Sequence, residues 1–482
     1  MGDKALLRLF GHYIPYPSVL LALGDTLLLY VSLLIATSLP FVQTPTPGAQ
    51  SDLRLIASIV IVSFLVLASL GLYNRAVFYH SREINSRMIV ALPLVIVACG
   101  LFIYVYSFYG QPISRYLYIV ILSGIAVFFL LTFFLRELVR NVFNMDRFKR
   151  RVLVLGAEPL ATKVDEIARD PARGHFLVVG YLGLGDEEST SNLHPKLPSE
   201  MLTQRHALAD FVRKNRVEEI VVVSRERRRS VGKLGPGLPI WDLLECKLEG
   251  AQITTYADFW EREARQVDLD ELQPSWLIFS DGFRVNSFTN YRTRFFDLLV
   301  SICFLVVILP VFLLTALSIK LTSPGPVFYR QERVGRGGKP FQLLKFRSMC
   351  VDAEKDGVPV WAKENDERIT PIGHFIRKTR IDEIPQVINV LKGEMSFVGP
   401  RPERPYFVES LQKKIPYYIE RHRVRPGITG WAQTSCPYGA SEEDAKLKLS
   451  YDLYYIKNSS LFLDALILLQ TVRVVLWNYG AR

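Results

Sequence analysis

Four long apolar stretches, separated by short polar loops, occupy the N-terminal part of the chain. They lie at residues 19–41, 53–73, 88–109 and 116–135. Each has about the ~20 residues that a helix needs to cross the hydrocarbon core of a bilayer. The pattern therefore predicts a four-helix transmembrane bundle. Because a single hydrophobic core rarely grows past roughly 250–300 residues, the length of 482 residues predicts further domains after this bundle.

Lysine and arginine residues are unevenly distributed around these stretches. They precede the first stretch, separate the second from the third and follow the fourth: Lys4, Arg8, Arg75, Arg82, Arg87, Arg136, Arg140, Arg147, Lys149, Arg150 and Arg151. The other two loops are poor in Lys and Arg, so the positive-inside rule places both ends of the bundle in the cytoplasm. Because the first stretch is too long for a signal peptide and lacks a small-residue cleavage site, we expect it to remain as an anchor.

Short β-branched runs alternate with helical stretches from about residue 151 onward. The runs RVLVLGA, FLVVGYLG and EEIVVVS predict a small doubly wound parallel sheet, which is a Rossmann-like module. Its first strand-to-helix turn contains Gly156, but Glu158 and Ala161 stand where a dinucleotide fingerprint needs glycines. A glutamate there would repel a pyrophosphate, so a structural or regulatory role is favoured over a dinucleotide site.

A fifth apolar run, residues 295–319, is interrupted by Pro310. Arg292 and Arg294 precede this run and Lys320 follows it. Basic residues at both ends favour a cytoplasmic position for both ends, and the proline removes a backbone hydrogen bond and bends the helix. We therefore predict a re-entrant hairpin in preference to a fifth spanning helix, which would place the remaining polar residues outside the cell.

The adjacent carboxylates Asp382 and Glu383 stand at the start of an apolar-periodic stretch that we predict to be a helix. Neighbouring positions on a helix point about 100° apart, so the two side chains can serve different partners. One carboxylate can attack a substrate while the other holds a metal. Taken alone, an Asp-Glu pair in a first helical turn is ordinary complementation of the helix dipole.

Several basic strings that contain Gly or Pro flank this pair along the chain. They are RQERVGRGGK, LKFRSM, GPRP and RHRVRPGITGWAQ. An arginine fork grips a phosphate in two places, and Gly and Pro let the backbone approach a ligand on a rigid path. The strings therefore favour diphosphate binding. Nucleic acid is the competing interpretation of a net charge of +11, but no long basic face or stacking aromatic series supports it, and we expect no nucleic-acid partner.

The chain from the fifth apolar run onward resembles the bacterial sugar transferase family, the monotopic polyprenyl-phosphate phosphoglycosyl transferases. The proline-broken hairpin, the Asp-Glu pair and the strings KFRSM, SFVGPRP, VRPGITGWAQ and YDLYYIKNSSLFLD carry this resemblance. The complete layout, with membrane helices, a degenerate Rossmann-like domain and a transferase domain, is similar to the large members of this family. The opening LLRLFGHYIP is similar to members of the exopolysaccharide type.

The resemblance implies a two-step mechanism. Asp382 would attack the β-phosphorus of a UDP-sugar and release UMP, and undecaprenyl phosphate would then accept the sugar phosphate from the covalent intermediate. Glu383 would hold Mg²⁺. The other residues to which the resemblance assigns substrate binding are Lys345, Arg347, Arg380, Pro400, Arg401, Pro402, Arg425, Asp452 and Asp464. For Asp452 and Asp464, a structural ion pair is an equally weighted alternative.

These inferences predict a membrane α/β protein with three domains. They are a four-transmembrane-helix domain (1–145), a Rossmann-like cytoplasmic domain (146–280) and a mainly helical phosphoglycosyl transferase domain (281–482) with the re-entrant helix at 295–319. We expect a multi-pass protein of the bacterial inner membrane, with its catalytic domain facing the cytoplasm against membrane lipid. Its expected role is the first membrane step of exopolysaccharide assembly.

Two rival functions stay open at this point. A membrane-anchored nucleotide-sugar dehydratase would need an intact glycine fingerprint and a Tyr-x-x-x-Lys pair, and no lysine of this chain has a tyrosine four residues before it. A non-catalytic scaffold for polysaccharide assembly would release no UMP. The sequence does not fix the sugar, for which a UDP-hexose is favoured, or the oligomeric state, for which a homodimer is compatible.

Overall fold

The computed structural model describes residues 6–9, 12–37, 53–73, 81–109, 115–142, 149–156, 159–170, 176–184, 193–202, 204, 206–223, 238–272, 274, 283, 287–350, 368–436, 439 and 441–476. The chain divides into two compact units, Met1–Arg265 and Gln266–Arg482. The first unit contains four apolar helices, a short hairpin, and a parallel sheet with four further α-helices among its described residues. The second contains the fifth apolar run and the predicted transferase motifs. The division into three domains stays a prediction.

Four apolar helices follow a short antiparallel hairpin in the first unit. The hairpin strands are β1 (Leu6–Leu9) and β2 (His12–Pro15), and the helices are α1 (Tyr16–Thr37), α2 (Leu53–Ser69), α3 (Ser81–Tyr109) and α4 (Arg115–Val142). Segments of α1, α3 and α4 are long and apolar enough to cross a membrane. Helix α2 has 17 residues, so it rises only ~25 Å against a hydrocarbon core of ~30 Å.

The helix α2 ends in a turn where Gly71 has φ 71, a conformation that favours glycine. The last residues of the first predicted stretch, 38–41, lie outside the described residues. Within the bundle, Gly124 of α4 lies against Leu33 of α1, where an added Cβ would stand 2.7 Å from Leu33 Cδ2. Arg136 of α4 donates to Asp25 of α1, which gives each charge a partner, as ionised residues of membrane helices require.

The parallel sheet of the first unit has five strands in the order β5-β4-β3-β6-β7. All neighbouring strands are parallel. The strands are β3 (Arg150–Gly156), β4 (Phe176–Leu182), β5 (Lys196–Leu197), β6 (Glu219–Val223) and β7 (Gln252–Thr255), and the helices are α5 (Leu160–Arg169), α6 (Ala207–Lys214), α7 (Ile240–Leu248) and α8 (Tyr256–Ala264).

Alternate residues of β3 point to opposite faces of this sheet, as the strand period of two requires. Val152 and Val154 pack in a core with residues of α5 and α8, and Leu153 and Leu155 pack in a second core with residues of α6 and α7. Helices therefore cover both faces, and the predicted doubly wound parallel sheet is confirmed.

The first strand-to-helix turn of the sheet follows a close approach between two strands. A Cβ added at Gly156, which has φ 142, would stand 2.0 Å from the carbonyl oxygen of Val223. Packing alone therefore requires glycine at this position. Glu158 lies outside the described residues, so the prediction that this turn binds no dinucleotide stays a prediction.

The second unit combines one long apolar helix with short strands and helices. The strands are β8 (Phe328–Val334), β9 (Pro340–Phe346), β10 (Ser396–Val398) and β11 (Gly427–Thr429), and the helices are α9 (Ser287–Thr322), α10 (Pro371–Lys378), α11 (Gln386–Lys392), α12 (Pro405–Lys414), α13 (Trp431–Ser435), α14 (Glu442–Asn458) and α15 (Leu461–Leu476). Strands β8 and β9 form an antiparallel hairpin, and β10 and β11 form a parallel pair.

The long helix α9 contains the run that we predicted to be re-entrant. It has 36 residues with Pro310 inside, and a break at the proline stays a prediction. Near its start, Arg294 donates to the carbonyl oxygens of Val390 and Leu391 at the end of α11. Near its end, Ile319 is buried in a cluster with residues of β9 and α10. Both ends of α9 therefore contact the same compact unit.

A polar contact fixes α9 against the strand that leads into the GPRP string. The buried carboxylate of Asp297 accepts from Ser396 Oγ at 2.7 Å and from the backbone N–H of Phe397 at 3.0 Å. Behind β10, Trp431 stacks on Tyr454 of α14 with ring centroids 6.1 Å apart. The loop after β10 is thus held between the membrane helix and the core.

Candidate active site

The carboxylate pair lies on a single 3-10 turn, Ile381–Glu383, and not on the predicted helix. Arg380 before the turn has φ 60, and α11 begins only at Gln386. Two features account for the difference: Arg380 has a left-handed backbone conformation, and Pro385 has no N–H to donate to the preceding turn. The tight turn separates the two carboxylates from the helix that follows.

The two carboxylates share Lys345 unequally, and only Glu383 also contacts Arg401. Glu383 Oε1 accepts from Lys345 Nζ at 2.9 Å and from Arg401 Nη2 at 2.8 Å. Asp382 Oδ2 is 3.9 Å from the same lysine nitrogen. Strand β9, the turn and the GPRP loop thus bring Lys345, Asp382, Glu383 and Arg401 together.

This uneven sharing separates the pKa values of the two acids. Burial raises the pKa of Asp382 to about 6, with a further upward contribution from the charge of Glu383 and an opposing one from Lys345. Burial also acts upward on Glu383, but the charges of Arg401 and Lys345 outweigh it and hold the pKa of Glu383 well below its ordinary value. Such divergence between neighbouring carboxyls is typical of acids with separate chemical roles.

The backbone of the GPRP loop is held at three consecutive carbonyl groups. The oxygen of Pro400 accepts from Gly427 N at 3.0 Å, that of Arg401 from Arg421 Nη2 at 3.0 Å and that of Pro402 from Arg333 Nη1 at 2.9 Å. Two prolines restrict the same segment. The loop therefore presents the Arg401 guanidinium to Glu383 from a rigid path.

A cavity of about 610 Å³ opens beside Glu383. The charged and polar side chains of its lining are Arg380, Glu383, Arg401, Glu403, Arg421, Gln433, Lys448 and Asp452, and the apolar ones include Val300, Phe304, Phe397, Ile428, Leu468 and Val472. Asp382 and Lys345 are not in this lining, but their side chains keep 12% and 19% exposure next to Glu383. The cavity joins charged and apolar surfaces in one space.

Asp452 forms an ion pair beside this cavity with Arg421, an arginine that the sequence analysis did not single out. Arg421 donates to Asp452 Oδ2 at 2.8 Å and to the Tyr418 hydroxyl at 2.7 Å, besides its bond to the Arg401 carbonyl. Burial raises the pKa of Asp452 to about 6 against the effect of Arg421. The string RHRVR does not distinguish Arg421 from the other two arginines. The structure does, because Arg421 is the buried one.

Three of the predicted substrate-binding residues lie apart from the carboxylate pair. Arg347 donates to the carbonyl and hydroxyl of Ser323 at the end of α9. Asp464 is buried and accepts from the Tyr455 hydroxyl at 2.8 Å, and burial raises its pKa to about 7. Arg425 lines a second cavity. Of the other predicted residues, Arg380, Arg401 and Asp452 line the first cavity, Lys345 contacts the carboxylate pair, and Pro400 and Pro402 belong to the GPRP loop.

A divalent cation fits this site only if a substrate completes its coordination. Across the described ranges, no group of three or more His, Cys, Asp or Glu side chains is arranged to hold a metal. Mg²⁺ commonly binds to one or two carboxylates together with substrate phosphates. Glu383 Oε2 and the Asp382 carboxylate are available for that arrangement, because both Lys345 and Arg401 bind Glu383 through Oε1.

The comparison with protein families agrees with this geometry. The profile of the bacterial sugar transferase family matches residues 288–478, which contain α9, the carboxylate pair and the GPRP loop. A second profile, described as a CoA-binding domain, matches residues 68–227, which include part of the bundle and part of the parallel sheet. The resemblance drawn from the sequence motifs is confirmed.

Curated relatives are similar to part of this chain at 42–49% identity. UDP-N-acetylgalactosamine-undecaprenyl-phosphate N-acetylgalactosaminephosphotransferase of Aeromonas hydrophila is 49% identical over 50% of this chain and 56% of its own length. UDP-glucose:undecaprenyl-phosphate glucose-1-phosphate transferase of Escherichia coli is 45% identical over 36% and 38%, respectively. The exopolysaccharide production protein PSS of Rhizobium leguminosarum is 42% identical over 37% of this chain and 92% of its own. This chain thus spans about half or less of the first two relatives and most of the third, and it belongs to the bacterial sugar transferase family.

Proposed function

We propose that this protein transfers a sugar 1-phosphate from a UDP-sugar to undecaprenyl phosphate and releases UMP. The observation that carries the proposal is the carboxylate pair with divergent pKa values beside a cavity that is charged in one part and apolar in another. A nucleotide diphosphate suits the arginine- and lysine-lined part. A polyprenyl chain suits the apolar part. Relatives in the family are named for undecaprenyl-phosphate substrates.

In the first step, an Asp382 oxygen attacks the β-phosphorus of the UDP-sugar. The new O–P bond forms as the bond to the α-phosphate oxygen breaks, and UMP leaves with the electron pair. A carboxylate nucleophile suits this step because it divides one difficult displacement into two easier ones. Lys345, 3.9 Å from Asp382, and Arg380, in the cavity lining, would neutralise the phosphate charge during transfer.

In the second step, a phosphate oxygen of undecaprenyl phosphate attacks the same phosphorus. The bond to Asp382 breaks, the carboxylate returns, and undecaprenyl diphosphosugar is released. Glu383 would hold Mg²⁺, which would stabilise charge on the transferring group. Arg401 would bind the nucleotide end from its fixed loop.

The contacts of α9 support a re-entrant position for this helix. Arg294 and Ile319, near its two ends, both contact the same compact unit, whereas a spanning helix would carry its ends to opposite sides of a core ~30 Å thick. The lipid phosphate would then meet Asp382 at the interface. We therefore propose a bacterial inner-membrane location with the second unit facing the cytoplasm, and a role at the first membrane step of exopolysaccharide assembly.

The test is UMP release by the purified full-length chain with undecaprenyl phosphate and a panel of UDP-sugars. UDP-glucose and UDP-N-acetylgalactosamine head the panel, because relatives are named for each. We expect UMP release that depends on both substrates with one of these donors. Absence of UMP release across the panel would favour the non-catalytic scaffold, and NAD binding with loss of water from the sugar would favour the dehydratase.

A further inference from the structure

A second cavity of about 900 Å³ lies between the β8–β9 hairpin and the end of α11. Its charged lining residues are Arg330, Arg336, Lys339, Lys392, Glu394 and Arg425. Five of these six side chains are cationic. The single carboxylate, Glu394, already accepts a hydrogen bond from Asn389 Nδ2 at 2.7 Å.

The five cations have no hydrogen-bonded or ion-paired side-chain partner within the part of the chain that the structure describes. Two of them, Arg336 and Arg425, are nevertheless half-buried. Burial and the like charges of Arg336 and Arg294 lower the pKa of Arg425, while Asp297 acts in the opposite direction. Five cations gathered around one carboxylate favour an anion in the cavity.

The turn between β8 and β9 lines part of this cavity. Gly337 and Gly338 have φ 67 and 77, and a Cβ added at either would meet nothing within 4 Å. The backbone there is open and lies between Arg336 and Lys339. The N–H groups of Gly338 and Lys339 donate to the carbonyls of Gly335 and Arg336 within the turn, so the turn contributes an open approach and the side chains of Arg336 and Lys339 to the cavity.

This cavity is distinct from the candidate active site. The two linings share none of the described residues. Strand β9 and α11 lie between them, since Lys345 reaches the carboxylate pair while Leu344 lines the second cavity. The buried Asn389 side chain joins these elements, accepting from Leu344 N and donating to the carbonyl of Gln342.

The second cavity adjoins the start of the membrane helix. Arg294, just before the apolar run, donates to the carbonyl oxygens of Val390 and Leu391. A Cβ added at Gly393, a lining residue, would stand 3.6 Å from the Arg294 guanidinium. A basic pocket at the foot of a membrane helix is the usual setting for a phospholipid headgroup.

We propose that the second cavity binds the phosphate of an anionic phospholipid headgroup, with Arg336, Lys339, Lys392 and Arg425 as its cationic contacts. The bound lipid anchors the start of α9 at the membrane surface. The site neither contains nor requires the carboxylate pair, so the proposal is independent of the transfer reaction.

The test measures binding of dihexanoylphosphatidylglycerol to the full-length chain in neutral detergent. Dihexanoylphosphatidylcholine and inorganic phosphate serve as the zwitterionic and the chain-free probes. We expect dihexanoylphosphatidylglycerol to bind at least tenfold more tightly than either probe. The double variant Arg336→Gln/Lys392→Gln should weaken its binding about tenfold to thirtyfold, because each basic residue near a membrane surface contributes a factor of about five in affinity.

Matched variants separate this site from general charge and from catalysis. Lys413→Gln/Lys414→Gln removes two exposed charges of the same unit and should change affinity less than twofold. Asp382→Asn should bind the lipid as the wild type does, whatever its activity. Should the double variant fold poorly, Arg330→Gln, an exposed residue of the rim, should still weaken binding about threefold to tenfold.

Three results would overturn the proposal. Unchanged affinity in the Arg336 and Lys392 variants would exclude the cavity as the binding site. Equal affinities for inorganic phosphate and for dihexanoylphosphatidylglycerol would assign the cavity to a soluble anion. Displacement of the lipid by UMP would assign it to the nucleotide substrate.

Discussion

Each compact unit groups two acidic and two basic side chains, buried in the first unit and partly buried in the second, and the two groups distribute their charges differently. In the first unit, Arg150 donates to Glu219 and Glu263, and Arg262 donates to the same two carboxylates. Each acid thus contacts both arginines, and all four side chains are at most 9% exposed.

In the second unit, Lys345 and Arg401 both bind one oxygen of Glu383, and Asp382 has only the distant contact to Lys345. The closed, evenly shared quartet holds a strand and a helix of the sheet together. The uneven one leaves one carboxylate with a raised pKa next to a cavity. Both groups consist of two carboxylates and two cations. They differ in how evenly the cations are shared between the carboxylates and in whether a cavity lies beside them, and these two differences separate the proposed reactive group from the structural one.

The largest expected effect is loss of the reactive carboxylate. Asp382→Asn should lower UMP release by ~10³-fold or more, because an amide cannot serve as the nucleophile. It should also abolish any radiolabelled enzyme–sugar-phosphate adduct. Survival of the adduct in this variant would assign the nucleophile to another residue.

The next effect concerns the acid that holds both cations. Glu383→Gln should lower turnover by about 10²-fold and remove the response to Mg²⁺, because the amide neither neutralises Lys345 and Arg401 nor binds the metal well. Titration of activity with Mg²⁺ measures the response. Glu409→Gln, an exposed pair member, is the control, and an unchanged metal response in Glu383→Gln would contradict the role of Glu383.

The closed quartet should respond in stability and not in chemistry. Glu219→Gln should destabilise the protein by about 3–5 kcal/mol, because it leaves two buried arginines with the single carboxylate of Glu263. Asp210→Asn, which removes the exposed ion pair of Asp210 with Arg213, should cost only about 0–1 kcal/mol. Thermal denaturation of the full-length chain measures both. A large fall in UMP release per folded molecule in Glu219→Gln would break the distinction between the two quartets.

The smallest effect is the pH dependence of transfer. In the proposed mechanism Asp382 attacks as an anion, and burial raises its pKa to about 6. Activity should therefore be present above pH 6 and fall about tenfold per pH unit below it. Lys345→Gln removes the neighbouring positive charge, so it should raise the pKa of Asp382 and move the fall in activity to higher pH. Asp452→Asn should show the same fall below pH 6 as the wild type. Loss of the pH dependence in Asp452→Asn would assign the titration to Asp452.

The sequence predicted those features that depend on local pattern. Runs of β-branched residues predicted the parallel sheet, and the motifs predicted that Lys345, Glu383 and Arg401 would form one site. The 3-10 turn was missed although Pro385 was visible, because apolar periodicity continues through it. The positions of Arg347, Arg425 and Asp464 could not be predicted, since the direction of a side chain depends on contacts between elements far apart in sequence.

The attachment of both ends of α9 to one unit has a consequence for how the protein enters the membrane during synthesis. Arg292 and Arg294 stand before the apolar run and Lys320 near its end. Carrying such a charge to the bilayer centre costs about 2.5–3.5 kcal/mol on the insertion scale. In the proposed re-entrant arrangement none of these three charged side chains crosses the bilayer. The helix can therefore be inserted from the cytoplasmic side after the rest of the second unit has folded.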